Sequence, residues 1–120
     1  MPVRGVRGAI VAVSDTHEAI LAATKELLVQ ILASNPSLDI VEIASCIFST
    51  THDLQSAYPA QAARELGWDP VPFMCTQEIP VPGSLIRCIR VLIHWNTTLH
   101  QNQIKHVYLG EASILRPDLS

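Results

Sequence analysis

The stretch that decides the fold is Ile86–Trp95, which reads Ile-Arg-Cys-Ile-Arg-Val-Leu-Ile-His-Trp. Apolar and β-branched residues of this kind are typical of a strand, and alternate side chains of a strand share a face. One predicted face carries Arg90 together with Ile86, Cys88 and Leu92. The other carries Ile89, Val91, Ile93 and Trp95. Both faces look apolar, so the pattern predicts that Arg90 is buried.

A buried Arg90 requires an anion nearby. A guanidinium does not lose its proton in a protein, and a buried charge costs several kcal/mol unless an opposite charge meets it. The anion could be a structural carboxylate, such as that of Glu78, or the acidic group of a ligand. The strand alone leaves both possibilities open.

Composition limits the class of protein. The chain has 120 residues, which suits a single domain over residues 1–120. Hydrophobic residues make up 48% and charged residues 16%, a balance that predicts an oligomer with part of its surface covered by partner subunits. The net charge of -3, without a basic stripe, excludes nucleic acid as an expected partner.

Targeting and metal-binding signals are missing from the sequence. We find no signal peptide and no apolar run long enough to cross a membrane, which predicts a soluble cytoplasmic protein without membrane association. The three cysteines have no metal-ligand spacing and no even pairing, which fits a reducing cytosol and predicts no metal site.

The rest of the chain predicts one long helix and several strands. Asp15 followed by Glu18 resembles a capping box, which predicts a helix over His17–Ala33 whose apolar stripe covers a sheet. The other predicted elements are strands over Val3–Val13, Ile43–Thr50, Val71–Gln77 and Ile104–Leu115, a helical turn over Asp39–Glu42 and a short helix over Pro59–Leu66. This order predicts an α+β fold with a mixed β-sheet, one major covering helix and short helices.

Candidate chemistry rests on arginine rather than on a nucleophile or a metal. No nucleophile elbow, phosphate loop or dinucleotide motif occurs, whereas arginines recur near small or apolar residues: Arg7, Arg64, Arg90 and Arg116. The planar guanidinium group of arginine can form two parallel hydrogen bonds with a carboxylate. Gly5 and Gly8 flank Arg7 and could leave room for a ligand or for a close backbone contact. Either explanation fits the sequence.

Cys75 and Glu78 are three residues apart, so a regular strand places them on opposite faces. Both could line one pocket only if the chain turned or bulged near Thr76-Gln77. Taken alone, Cys75 is interpreted as a small core residue.

Five segments together resemble a known family. They are Val3–Ala9 (VRGVRGA), Tyr58–Arg64 (YPAQAAR), Cys75–Glu78 (CTQE), Val81–Val91 (VPGSLIRCIRV) and His106–Leu109 (HVYL) followed by Leu115–Leu119 (LRPDL). In this order and spacing they resemble the small monofunctional chorismate mutases of the AroH class over essentially the whole chain.

The resemblance implies a homotrimer whose α+β subunits form a pseudo-α/β-barrel assembly with active sites at the subunit interfaces. It implies an isomerase that converts chorismate to prephenate, a step of the shikimate pathway towards phenylalanine and tyrosine. This intramolecular Claisen rearrangement uses conformational restraint and electrostatic stabilisation, with no cofactor and no covalent enzyme intermediate.

The resemblance also assigns roles to single residues. Arg90 is expected to donate to the ether oxygen and to bind a carboxylate, while Arg7 and the Tyr108 hydroxyl hold the enolpyruvyl carboxylate. Glu78 and Cys75 are expected to meet the ring hydroxyl and the developing positive charge. Further substrate-binding residues implied are the pocket-wall residues Tyr58, Ala60, Phe73 and Met74, the mouth residue Arg64, and the C-terminal cover Leu115 and Arg116.

Two other hypotheses remain at this point. A non-catalytic trimer on a similar scaffold could bind a small carboxylate through the same arginines, since a fold does not fix a function. A purely structural oligomer, in which Arg90 pairs with Glu78, would bind no ligand.

Overall fold

The computed structural model describes residues 1–115. Its strands are β1 (Val3–Val11), β2 (Ile43–Thr50), β3 (Phe73–Gln77), β4 (Cys88–Asn96) and β5 (Val107–Tyr108). Its α-helices are α1 (His17–Ser34) and α2 (Pro59–Glu65), and short 3-10 helices span Ile40–Glu42, Gln101–Gln103 and Gly110–Leu115. The predicted α+β fold with a mixed sheet and one major helix is confirmed. Within this part of the chain, no helix combines the length and apolar character needed to cross a membrane.

The five strands form one sheet in the order β3-β2-β4-β1-β5. Strand β4 pairs antiparallel with both β1 and β2. The edge strands β5 and β3 pair parallel to β1 and β2, respectively. Strand β4 is therefore the centre of the sheet, and its neighbours β1 and β2 bring side chains from the first half of the chain beside Arg90.

Helix α1 covers one face of the sheet and encloses the main core. On β4, Ile89, Val91 and Ile93 are 0%, 3% and 0% exposed and belong to the same cluster as Leu27 and Ile31 of α1. The predicted placement of Ile89, Val91 and Ile93 on one buried face of β4 is thus confirmed. We call this the covered face of the sheet and the opposite one the open face.

The start of α1 differs from the prediction. Thr16, rather than Asp15, is the N-cap residue, and its hydroxyl accepts from the backbone N of Ala19 at 3.1 Å. Asp15 instead accepts from the backbone N atoms of Gln55 and Ser56 at 2.9 and 3.1 Å, and these bonds lower the pKa of its carboxyl. The carboxylate therefore ties the start of α1 to the loop before α2, a long-range contact that a local capping pattern cannot reveal.

Gly8 is explained by close packing. A Cβ built at Gly8 would lie 2.9 Å from Cδ1 of Ile31 and 3.0 Å from the carbonyl oxygen of Val107. A Cβ at Gly5 would meet only Cδ1 of Leu92, at an ordinary 3.6 Å. Of the two explanations that the sequence left open for Gly8, the close contact is the one the structure supports.

Several predicted strand ends were wrong. Strand β4 begins at Cys88 because Arg87 has a left-handed φ of 49°, so Ile86 does not share the strand with Arg90. Strand β3 begins at Phe73, after Pro72, which has no N–H for the ladder. Strand β5 has two residues instead of the predicted run to Leu115, because Gly110 has φ 57° and the chain continues as a 3-10 helix.

Candidate active site

Strand pairing places a row of residues across the open face. Arg90 of β4 pairs with Ser49 of β2 on one side and with Ala9 of β1 on the other. Ala9 in turn pairs with Tyr108 of β5. Directly paired residues point to the same side of a sheet, so Ser49, Arg90, Ala9 and Tyr108 form one row, with the small Ala9 between the guanidinium and the phenol.

Ser49, Arg90 and Tyr108 of this row line a cavity of about 250 Å³, which we call the arginine cavity. Arg7 shares the face of Ala9 two residues earlier in β1 and also lines the cavity. Leu115, at the end of the 3-10 helix Gly110–Leu115, closes part of its wall. The structure thus brings together four residues that the sequence predicted for the site: Arg7, Arg90, Tyr108 and Leu115.

Arg90 forms the ion pair that the sequence left open. Its Nε lies 3.3 Å from Oε1 of Glu78, and the hydroxyl of Ser49 donates to the same carboxylate oxygen. The prediction that Arg90 is buried in an apolar strand is wrong for the described subunit. Its side chain is 44% exposed, because it points to the open face, which α1 does not cover.

The exposure of this pair bears on its role. Ion pairs accessible to water contribute about 0–1 kcal/mol, so the Arg90–Glu78 pair alone adds little stability. A ligand carboxylate can therefore compete for the guanidinium at small cost. Glu78 and Arg90 also border a second space, of about 270 Å³, beneath the loop of residues 79–86.

Cys75 lies on the other side of the sheet from Arg90. It pairs with the fully buried Phe48 and packs partly against the main core, while Phe73 stacks on Phe48 at a ring-centroid distance of 5.9 Å. The register of β3 with β2 is continuous, without the bulge that would turn Cys75 and Glu78 to one side. The predicted placement of Cys75 and Glu78 on opposite faces is therefore confirmed.

Cys75 lines a cavity of about 720 Å³, which we call the Cys75 cavity. Tyr58, at the start of α2, and Gln61 contribute to the same cavity. The side-chain amide of Gln61 donates to Oε2 of Glu65 at 3.1 Å.

The remaining predicted residues are spread over the subunit. Arg64 is exposed in the last turn of α2, and Met74 is exposed on β3. Ala60 is 4% exposed and packs in the core, so in this subunit it forms no open pocket wall. Arg116 lies outside the described residues. Each of these roles remains a prediction.

The two buried thiols, Cys46 and Cys88, are poor nucleophiles. Burial raises the pKa of Cys46, and it also raises the pKa of Cys88, where the neighbouring Arg90 guanidinium partly offsets the effect. Both thiols are therefore protonated at neutral pH. Among residues 1–115, no group of three His, Cys, Asp or Glu side chains is arranged to hold a metal ion.

Sequence reasoning missed three polar residues near Arg90: Ser49, which lines the arginine cavity, and Thr51 and Asp53, which line the second space. Ser49 contacts Glu78, and the other two bind the chain just before Arg90. Strand alternation could have identified Ser49, because it places the Ser49 side chain on the same face of the sheet as Arg90. Thr51 and Asp53 follow the predicted strand Ile43–Thr50, where no periodic pattern indicates a role for them.

Comparison with known proteins identifies the family. The family model for chorismate mutase type I matches residues 3–119. The chain belongs to the chorismate mutase type I family. It is a chorismate mutase, an isomerase of aromatic amino acid biosynthesis.

Individual relatives cover nearly the whole chain. It is 54% identical over 117 residues to the chorismate mutase AroH of Thermus thermophilus, covering 98% of this chain and 96% of that protein. It is 46% identical over 121 residues to the chorismate mutase AroH of Bacillus subtilis strain 168, covering 100% and 94%. The solved chorismate mutase from Clostridium thermocellum superposes with a TM-score of 0.88 at 44% identity, covering 92% of this chain and 97% of that one.

Proposed function

We propose that the arginine cavity binds chorismate and promotes its rearrangement to prephenate. The single observation that carries this proposal is the convergence of Arg7, Arg90 and Tyr108 on one cavity through the pairing of β4, β1 and β5. Chorismate carries two carboxylates, and this cavity presents two guanidinium groups and a phenol hydroxyl. The donors sit on strands rather than on loops, which favours a fixed geometry.

The reaction needs restraint and charge stabilisation rather than a nucleophile. One C–O bond breaks as one C–C bond forms, while negative charge gathers on the ether oxygen. Arg7 and Tyr108 hold the enolpyruvyl carboxylate, which keeps the side chain over the ring in the reactive conformer. Arg90 donates to the ether oxygen, and this interaction strengthens in the transition state.

We assign two roles to Glu78: it orients Arg90, and it contacts the ring hydroxyl of the substrate. Because Glu78 contacts the Nε edge of Arg90, the terminal guanidinium nitrogens are the ones assigned to the substrate. Ser49 holds the carboxylate on this edge by donating to its Oε1. Arg90 thus serves both as the partner of a structural carboxylate and as the anchor of a ligand.

The site is completed by a second copy of the chain in a homotrimer. The arginine cavity and Cys75 lie on opposite sides of the sheet in one subunit. A ligand beside Arg90 therefore meets Cys75, Tyr58 and Arg64 only if they come from a neighbouring subunit. A volume of about 250 Å³ is also at the small end for a ligand pocket, as expected for half of a site. The trimer itself is inferred from the family resemblance.

Arg90→Ala tests the catalytic assignment. Loss of chorismate is followed by ultraviolet absorbance with purified protein, and kcat is expected to fall by about a hundredfold or more. The matched control is Arg4→Ala, which removes an arginine of β1 whose Nε donates to the carbonyl oxygen of Leu99 at 2.9 Å, away from the cavity. Equal turnover by wild type and the Arg90→Ala variant would overturn the assignment.

Mixed oligomers test the shared site. Arg90→Ala and Arg64→Ala chains are each expected to be weakly active, because each lacks one half of every site. Co-refolded in equal amounts, they form mixed trimers with one intact interface each, and about a quarter of wild-type activity should return. Activity that stays at the average of the two separate variants would contradict an interfacial site.

A cytoplasmic location is part of this proposal. It is supported by the thiols of Cys46, Cys75 and Cys88, which are all free. Oxidising compartments favour disulfide formation, whereas the cytosol keeps thiols reduced.

A further inference from the structure

Residues 50–53 lie at the end of β2 and just beyond it. They bind both ends of the loop that separates Glu78 from Arg90. At one end, the carbonyl oxygen of Thr50 accepts from the backbone N of Glu78 at 2.8 Å. His52 Nε2 donates to the carbonyl oxygen of Glu78 at 2.9 Å. The backbone of one partner of the ion pair is therefore held by residues just beyond Ser49.

The other end of the loop is held by Thr51 and Asp53. Both carboxylate oxygens of Asp53 accept from the backbone N of Arg87, at 3.1 and 3.0 Å. The Thr51 hydroxyl donates to Oδ1 of Asp53 at 2.5 Å and accepts from the backbone N of Cys88 at 3.0 Å. The backbone N of Thr51 donates to the carbonyl oxygen of Cys88 at 3.1 Å. We call Thr51 and Asp53 the clamp.

The clamp binds the backbone beside a residue with an unusual conformation. Arg87 has φ 49°, a conformation that residues other than glycine rarely adopt, and β4 begins directly after it. Hydrogen bonds to a carboxylate are stronger than those to a neutral acceptor. By accepting from the N–H groups of Arg87 and Cys88, the clamp fixes the backbone where β4 begins, two residues before Arg90.

We propose that Asp53 and Thr51 are positioning residues for the rearrangement, acting through Arg90. Neither is assigned contact with the substrate. Their effect is to hold the guanidinium where the ether oxygen arrives, while the same segment holds Glu78. This inference rests on the role proposed for Arg90.

Asp53→Ala and Thr51→Val test the clamp. The first removes both acceptors for Arg87, and the second keeps the side-chain shape but removes the hydroxyl that joins Asp53 to Cys88. In each case kcat, measured well below the thermal midpoint, is expected to fall about tenfold or more, because small misplacements of a catalytic group are costly. KM should change less than kcat. Asp53→Asn, which retains one acceptor oxygen for Arg87, should recover part of the loss.

The control is Asp39→Ala. Asp39 also uses its carboxylate to accept from a backbone N, that of Val41 at 3.2 Å, but it caps the 3-10 helix Ile40–Glu42. Its removal should leave kcat within about twofold of wild type, as is usual for changes away from a functional site. If Asp53→Ala and Thr51→Val lower the thermal midpoint but leave kcat at the wild-type value, the clamp is only structural and the inference is wrong.

A double-mutant cycle separates this inference from the proposed role of Arg90. In an Arg90→Lys background, Asp53→Ala should cost much less than it costs in the wild type, because the two residues act on one interaction. Equal losses in both backgrounds would show that Asp53 acts independently of Arg90. Wild-type activity of the Arg90→Lys variant would instead overturn the role of Arg90 itself.

Discussion

The two faces of the sheet use the same strands for different purposes. On β4, Ile89 and Val91 are almost fully buried on the covered face, whereas Arg90 between them is 44% exposed on the open face. The covered face is closed by α1 and contains the main core. The open face presents Arg7, Arg90 and Tyr108 around a cavity. A single alternating strand therefore separates the residues that stabilise the subunit from those assigned to chemistry.

The sharpest test of this separation compares Arg90→Lys with Ile93→Val. Lysine keeps the charge of Arg90 but loses the planar fork, so kcat should fall about a hundredfold or more while the free energy of unfolding changes by less than about 1 kcal/mol. Ile93→Val should do the reverse, costing about 0.5–1.5 kcal/mol of stability with little change in kcat. Steady-state kinetics and urea unfolding at one fixed protein concentration measure both quantities. A parallel loss of activity and stability in both variants would contradict the division between the faces.

A second test adds one methyl group to each face of β1. Gly8→Ala places a Cβ 2.9 Å from Cδ1 of Ile31 and 3.0 Å from the Val107 carbonyl oxygen, which belongs to a paired strand and cannot easily move. We expect a loss of about 1–3 kcal/mol in urea unfolding, the usual cost of overpacking. Gly5→Ala is the matched control, since its Cβ meets only Leu92 at 3.6 Å. Should both variants unfold at the same urea concentration, tight packing would not be the reason for Gly8.

The elements of the fold were predictable where the signal is local and periodic. The apolar stripe located α1 to within one residue, and the β-rich run located β2. Strand ends were not predictable, because β4 begins after a left-handed Arg87 whose backbone N donates to Asp53, a residue 34 positions away. Gly110 ended β5 early for a related reason, since a left-handed glycine turns the chain and no periodic pattern marks it.

The candidate site shows the same limit. Strand periodicity correctly separated Cys75 from Glu78. Arg90 has the anionic partner that was expected, although the burial from which that partner was inferred is wrong. The grouping of Arg7 with Tyr108 came from the family resemblance, because pairing between β1 and β5 joins residues about a hundred positions apart. Ser49 was missed because a serine within a strand carries no distinctive local signal.

The smallest expected effect comes from the other described ion pair, which joins α1 to α2 on the outside of the subunit. Lys25 Nζ lies 2.7 Å from Oε1 of Glu65, and both side chains are partly exposed. The hydrogen bonds from Lys25 and then Gln61 lower the pKa of Glu65 from its ordinary value of 4.5. A carboxyl whose folded pKa is lowered adds stability above its unfolded pKa and loses it as the pH falls through the folded value. This contribution is therefore complete at neutral pH and absent in strong acid.

Glu65→Gln should accordingly flatten the acid side of the stability curve without changing its neutral side much. The change is measured as the difference in urea midpoint between about pH 6 and about pH 3, which should be smaller for the variant than for the wild type. Glu26→Gln is the control, because Glu26 is an exposed glutamate of α1 that forms no ion pair with the described residues. Its substitution makes the same change in net charge, so an equal flattening in both variants would assign the effect to overall charge rather than to the Lys25–Glu65 contact. A specific flattening would show that the outer ion pair stabilises the packing of two helices, in contrast to the Arg90–Glu78 pair on the open face, for which we propose a role in ligand binding.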